Sequence, residues 1–351
     1  MEWISRTAWK SWPDVASTTT TPHELAALLD LLPHLDSLEI FGLQFADAAP
    51  RVTPQTQRGP MKHVKLISSR SFRASHTPGH LQHIVDLLCQ FSHISELSVG
   101  SDSVSPLCPP STSRRIRTDT LDVVCQSFTM QRGPTMLHAL TQNTDLSAVH
   151  TLKLSEPGSV APGQPPCAIF AAALRGCKHL QSLTCTGNAS YRALAHPAPC
   201  PPLRKLRVQL GTSSRPTPLR DLWADVARLA RCALASTVSA LGVRIDYSHH
   251  ARMAGIVEVD EDVRADVRSV AWAPVQDALA ALPALRVLEV AVDVRLWAPT
   301  WTAGAEEGAV REARRRGLAA LRVYVESAVL AGLPLAPGRT LRLAVSMDPV
   351  L

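Results

Sequence analysis

One short pattern recurs along the chain and constrains its fold more than any other feature. It is an apolar residue, two variable residues, an apolar residue, one variable residue and a last apolar residue. It reads Leu35-x-x-Leu38-x-Ile40, Met61-x-x-Val64-x-Leu66 and Ile94-x-x-Leu97-x-Val99, then a degenerate copy, Thr118-x-x-Leu121-x-Val123. Val149-x-x-Leu152-x-Leu154, Leu180-x-x-Leu183-x-Cys185 and Leu203-x-x-Leu206-x-Val208 follow. The last three are Val238-x-x-Leu241-x-Val243, Leu285-x-x-Leu288-x-Val290 and Leu318-x-x-Leu321-x-Val323. Successive copies start 26, 33, 24, 31, 31, 23, 35, 47 and 33 residues apart. A Leu-rich chain produces single copies by chance. Ten copies in loose register are the mark of a repeat architecture.

The last three residues of each copy alternate apolar, variable, apolar, which predicts a short strand with one buried face. Helical periodicity precedes many copies. Leu81, Ile84, Leu88 and Phe91 form one apolar stripe, and Leu219, Leu222, Trp223, Val226 and Leu229 another. His23 to Leu32 reads as a third helix, with Thr21 as N-cap, Pro22 at the first helical position and Glu24 completing a capping box. Between units the chain is rich in Pro, Gly, Ser and Thr, as in 46–60, 100–113 and 155–166. The widest gap holds Glu258 to Arg268, which reads as an excursion or an additional strand.

A helix–strand unit of about 30 residues cannot bury its own apolar side, and stacking such units joins the strands into one parallel sheet with the helices outside. The expected fold is therefore α/β: an irregular leucine-rich-repeat-like solenoid, with a parallel sheet on the concave side and helices on the convex side. The position three residues after the last core residue, often Asn in regular repeats, is Asn188 in one copy but Leu43, Gly211, Asp246, Asp293 or Glu326 in others. Residues 22–351 are expected to form one array of about ten units. Residues 1–21, which carry Trp3, Trp9 and Trp12, are expected to form a cap or tail.

The segments LLDLLPHLDSLEIFGL, HLQHIVDLLCQFSHISELSVG, AALRGCKHLQSLTCTGN and PPLRKLRVQL resemble the leucine-rich-repeat region of F-box proteins of mushroom-forming fungi. The resemblance runs from about His23 through the Leu318 copy. It implies a substrate-binding repeat region of a ubiquitin-ligase receptor, whose F-box would dock a Skp-type adaptor. The first repeat helix starts near Pro22, which leaves no room for an F-box before it, so docking of that adaptor is not expected.

No motif for chemistry accompanies the repeats. Gly-x-Ser-x-Gly, Gly-x-Gly-x-x-Gly and the P-loop are absent from the sequence. His23-Glu24 begins like H-E-x-x-H, but Ala27 stands where the second ligand would be. His76, His80 and His83, with Cys89 nearby, read as surface histidines at a helix start rather than a metal site, and His249-His250 as loop residues. No C-x-x-C spacing occurs among the eight cysteines, which are expected to be reduced, packed thiols. A non-enzymatic protein with no cofactor and no metal is expected.

Binding is expected on the concave face, at the variable position between the last two core residues and its outward neighbours. These residues include Lys153, Thr184, Lys205, Arg207, Gln209, Arg244, Glu289, Arg322 and Tyr324. Lys153, Lys205, Arg207 and Arg244 would tint the middle of this face basic, suiting a protein or peptide partner with acidic or phosphorylated residues. The formal charge of +6 comes from 36 basic residues, 30 of them Arg, spread over many units. That makes a nucleic-acid partner the lesser expectation. Residues 1–12 carry charges and no apolar core, unlike a secretory signal, and no apolar run is long enough to span a membrane. A cytoplasmic or nuclear location is expected.

Overall fold

The computed structural model describes residues 19–45, 57–68, 80–101, 114–125, 136–155, 172–186, 202–211, 217–232, 236–250, 256–297 and 308–350. Asn188, His76 and the three N-terminal tryptophans lie outside these residues. The chain divides into two compact units, Met1–Gln181 and Ser182–Leu351. Both are α/β with parallel strands.

The first unit contains β1 (Thr19–Thr20), α1 (Pro22–Asp30), β2 (Ser37–Phe45), β3 (Met61–Ser68), α2 (His80–Leu88), β4 (Ile94–Ser101), β5 (Thr118–Cys125), α3 (Met136–Asn143) and β6 (Thr151–Ser155). The strands lie in chain order from β1 to β6, and every pair is parallel. The second apolar residue of each motif copy stands beside the next: Leu38, Val64, Leu97, Leu121, Leu152. Val64, Leu97 and Leu152 are fully buried. The third apolar residues make a parallel row, Ile40, Leu66, Val99, Val123, Leu154. Side chains alternate across a strand, so two such rows two residues apart lie on one face and form its core.

The start of each copy is held by backbone. The second motif residue donates its N–H to the carbonyl of its counterpart in the preceding copy: Lys62 to Asp36, His150 to Asp119 and Gln181 to His150. These bonds pin the register at the start of the strands. α1 starts as expected. Thr21 Oγ1 accepts the Glu24 N–H at 3.1 Å, and the Glu24 carboxylate accepts the Thr21 N–H at 2.7 Å. That reciprocal cap holds the Glu24 carboxyl below its ordinary range, chiefly through the backbone bond to Thr21.

The second unit contains β7 (Ser182–Thr186), β8 (Lys205–Leu210), α4 (Leu219–Ala230), β9 (Ala240–His250), α5 (Ile256–Arg268), α6 (Trp272–Ala280), β10 (Val287–Trp297), α7 (Gly308–Gly332) and β11 (Thr340–Val350). Strand order again follows the chain, all parallel. The core rows are Leu183, Leu206, Leu241, Leu288, Leu341 and Cys185, Val208, Val243, Val290, Leu343. The same backbone bonds recur, from Ser239 to Arg204 and from Arg286 to Ser239. At the end of β8, Gly211 adopts φ +83 and its Cα sits so close to the Asp246 carbonyl that a β-carbon would collide with it.

Three sequence readings are corrected, the first being His83, expected at the surface of a helix start but buried on α2. The Leu318 copy is helical, lying within α7. Leu321, Val325, Val329 and Leu333 are buried at helical spacing, while Val323, expected in the core, is 61% exposed. The strand that ends the row is Leu341-x-Leu343-x-Val345, after a turn at Gly338 with φ +83. Its copy lacks an apolar first residue, because that position is Gly338. Of the two readings of Glu258 to Arg268, the excursion holds and the strand does not, because the stretch is α5: Val263 and Val267 bury one side, and Arg264 pairs with Asp260 one turn earlier at 2.9 Å. His249 and His250 lie on β9, not in a loop, since Ile245 and Tyr247 continue the buried alternation and β10 pairs alongside to Trp297.

The inserted helices pack through aromatic rings. Trp223 of α4 and Trp272 of α6 meet with ring centroids 4.8 Å apart and planes inclined at 56°, and Gly332 of α7 backs onto Trp272 where no β-carbon would fit. Among the described residues, no helix is long and apolar enough to cross a membrane.

Candidate interaction face

The residue between the two core positions of each copy projects to the other side of its strand. Register places these residues side by side. In the first unit they are Glu39, Lys65, Ser98, Asp122 and Lys153. In the second they are Thr184, Arg207, Gly242, Glu289 and Arg342. All of these except Arg342 coincide with positions derived from the motif. Lys205, Gln209 and Arg244 stand two residues away on the same side of their strands.

Arg322 and Tyr324 do not belong to this face. Both lie on α7, because the segment they occupy follows a helical and not a strand period. Tyr324 instead packs beneath Arg264 of α5, whose guanidinium carbon is 4.4 Å from its ring centroid. Arg342 takes the place expected for Arg322.

In the first unit the face is a chain of opposite charges. Lys153 Nζ lies 3.3 Å from the Glu96 carboxylate, and His63 lies between Glu39 and Glu96 at 3.4 Å from each. The hydrogen bond from Lys153 holds the Glu96 carboxyl below its usual range, with the nearby charges of Lys153 and His63 adding to it. Asp122 behaves oppositely. Burial is the larger influence and raises its carboxyl, despite the nearby Lys153 and a hydrogen bond from Ser98 at 3.3 Å.

The second unit carries a denser network. Arg207 and Arg342 both meet Glu289, at 3.0 and 3.2 Å. Arg244 Nε lies 2.7 Å from Asp293 and 3.3 Å from Asp246. Gln209 donates to Asp246 at 2.6 Å, and Ser346 donates to Asp293. Partial burial works against the Arg244 charge, but Asp293 and Asp246 together outweigh it and strengthen the guanidinium's hold on its proton. The expected basic tint is therefore largely spent within the sheet. Lys153, Arg207 and Arg244 are paired, each with carboxylates two strands away or on its own strand. For Lys153 and Arg207, only strand adjacency reveals the partner. Asp246 and Asp293 were visible in sequence as the positions three residues past the core, and Arg342 was hidden with its displaced copy.

No family model matches this chain, and no curated protein matches it.

Elsewhere the described residues offer little reactive chemistry. They contain no group of three His, Cys, Asp or Glu side chains able to hold a metal. Burial pushes the Cys89 thiol up to about 11 and the Cys177 thiol up to about 12, so both pack as protonated, unreactive groups. Tyr247 is also buried. Burial raises its phenol, and its O–H donates to Asp266 on α5 at 2.7 Å, fastening that helix to β9.

Proposed function

We propose that this chain is a leucine-rich-repeat-like solenoid acting as a non-enzymatic protein-interaction scaffold, similar to the substrate-binding region of mushroom-type F-box receptors. The observation that carries the reading is the register of the variable motif residues. Constant apolar rows underlie a row whose chemistry changes at every strand: Glu39, Lys65, Ser98, Asp122, Lys153 in one unit and Thr184, Arg207, Gly242, Glu289, Arg342 in the other. Such a face varies without disturbing the core, which suits recognition of a protein or peptide. The protein would act inside the cell, in cytoplasm or nucleus.

Affinity capture from an extract of a mushroom-forming fungus tests this reading, with a Lys153→Glu/Arg207→Glu double variant as comparison. The expected result is a defined set of proteins retained by the wild type and lost from the variant. Equal retention by both would sink the assignment of the face. Recovery of a Skp-type adaptor would add ligase docking to the scaffold role.

A further inference from the structure

Around Glu289 the charges do not balance. Arg207 and Arg342 both meet this one carboxylate, and Lys205, two residues before Arg207 on β8, adds its charge; all three lower the carboxylate's proton affinity, the hydrogen bond from Arg207 most strongly. The site thus carries an excess of two positive charges. It is also open: the Arg207 and Arg342 side chains are 50% and 69% exposed. Arg207 uses one terminal nitrogen on Glu289 and Arg342 likewise, and a guanidinium carries five N–H donors. Between the arginine strands lies Gly242, whose missing side chain leaves a shallow floor beneath the Arg207 stem.

We propose that Lys205, Arg207 and Arg342 form a seat for a phosphoryl group carried on an extended peptide of a partner protein, with Glu289 occupying the seat until the phosphate displaces it. A phosphate monoester carries about −1.5 to −2 charge at neutral pH, which matches the local excess, and its oxygens accept the forked donors that Glu289 now engages. A polyanion fits less well. Asp293 lies four residues beyond Glu289 on β10, about 13 Å along the strand, and Asp246 stands beside it in register. Those two carboxylates absorb Arg244 and would oppose the next phosphates of a nucleic acid. This inference rests on the scaffold reading for its protein partner, but the seat itself stands on the charge geometry.

The test is fluorescence anisotropy with the full chain at low ionic strength. The probes are a short labelled peptide with one phosphoserine in a background free of Asp and Glu, its unphosphorylated twin, and a single-stranded oligonucleotide of equal length. The phosphopeptide is expected to bind about ten-fold tighter than its twin. Arg342→Ala should remove that preference, Arg342→Lys should keep part of it, and Glu289→Gln should tighten binding about three-fold by removing the competing charge. These surface variants are checked for wild-type circular dichroism. Equal binding of the twin peptides, or tighter binding of the oligonucleotide, overturns the proposal. The scaffold reading fails separately. A captured protein partner whose retention ignores Arg342→Glu removes the seat and leaves the scaffold. A phosphopeptide preference in a chain that retains no protein partner keeps the seat and removes the scaffold.

Discussion

Arg207 and Glu289 form an ion pair at 3.0 Å although their strands, β8 and β10, are separated by β9. The contact exists because Gly242, directly between them, has no side chain. A β-carbon there would lie 2.8 Å from Arg207 Cγ. Gly242→Val should therefore push Arg207 aside. The pair is solvent-exposed, so the stability change should stay within about 1 kcal/mol. The expected signature is local: the Glu289 carboxyl, now held low chiefly by Arg207, should titrate closer to its ordinary value in an NMR titration. An unchanged Glu289 titration would show that Arg207 does not need the gap.

Among the described residues, Gly211 and Gly338 both have φ +83 and should respond differently to substitution. At Gly338 a β-carbon meets nothing within 4 Å, so Gly338→Ala carries only the backbone penalty, about 1 kcal/mol. At Gly211 the same backbone strain is joined by collision with the Asp246 carbonyl, which belongs to β9 and cannot turn away. Gly211→Ala should cost clearly more, in urea denaturation midpoints compared at equal slope. Equal costs would contradict the close approach of β8 and β9.

Glu96 and Asp122 should give opposite pH signatures. The folded-state pKa of Glu96 is depressed, so its contribution is fully present above its ordinary value near 4.5 and is lost as pH falls through the lower folded value. Glu96→Gln should flatten the acid limb of stability in that window. Asp122 is raised by burial, so the wild type loses stability as pH climbs from its ordinary value near 3.8 through the folded one. Asp122→Asn should therefore be relatively more stable at neutral pH than in acid. Chemical denaturation at several pH values separates the two, and parallel curves for both variants would refute the assignment.

Leu321 and Val323 test the nature of the last helix. As a strand copy, both would be core. On α7, Leu321 is 1% exposed and Val323 61%. Leu321→Ala should cost about 2–5 kcal/mol, whereas Val323→Ala should stay within about 0.5 kcal/mol. Comparable losses at both positions, measured by thermal unfolding, would favour the strand.

Up to the Leu285 copy, the motif alone determined which residues share a core row and which share the opposite row. A two-residue alternation repeated in register leaves the apolar side chains one face on which to meet, so Leu121 finds Leu152 and Leu206 finds Leu241. The cap of α1 was equally legible, because Thr21 and Glu24 satisfy each other within four residues. The Leu318 copy misled because three-residue apolar spacing also fits a helix, and only the burial of Val325 and Val329 on the same side decides between them. Tertiary structure alone decided the charges. Whether Arg207 tints a face or is paired depends on Glu289 two strands away and on Gly242 leaving the path open. No local pattern contains that information, since the residues are 82 positions apart and meet only after the strands between them have been laid side by side.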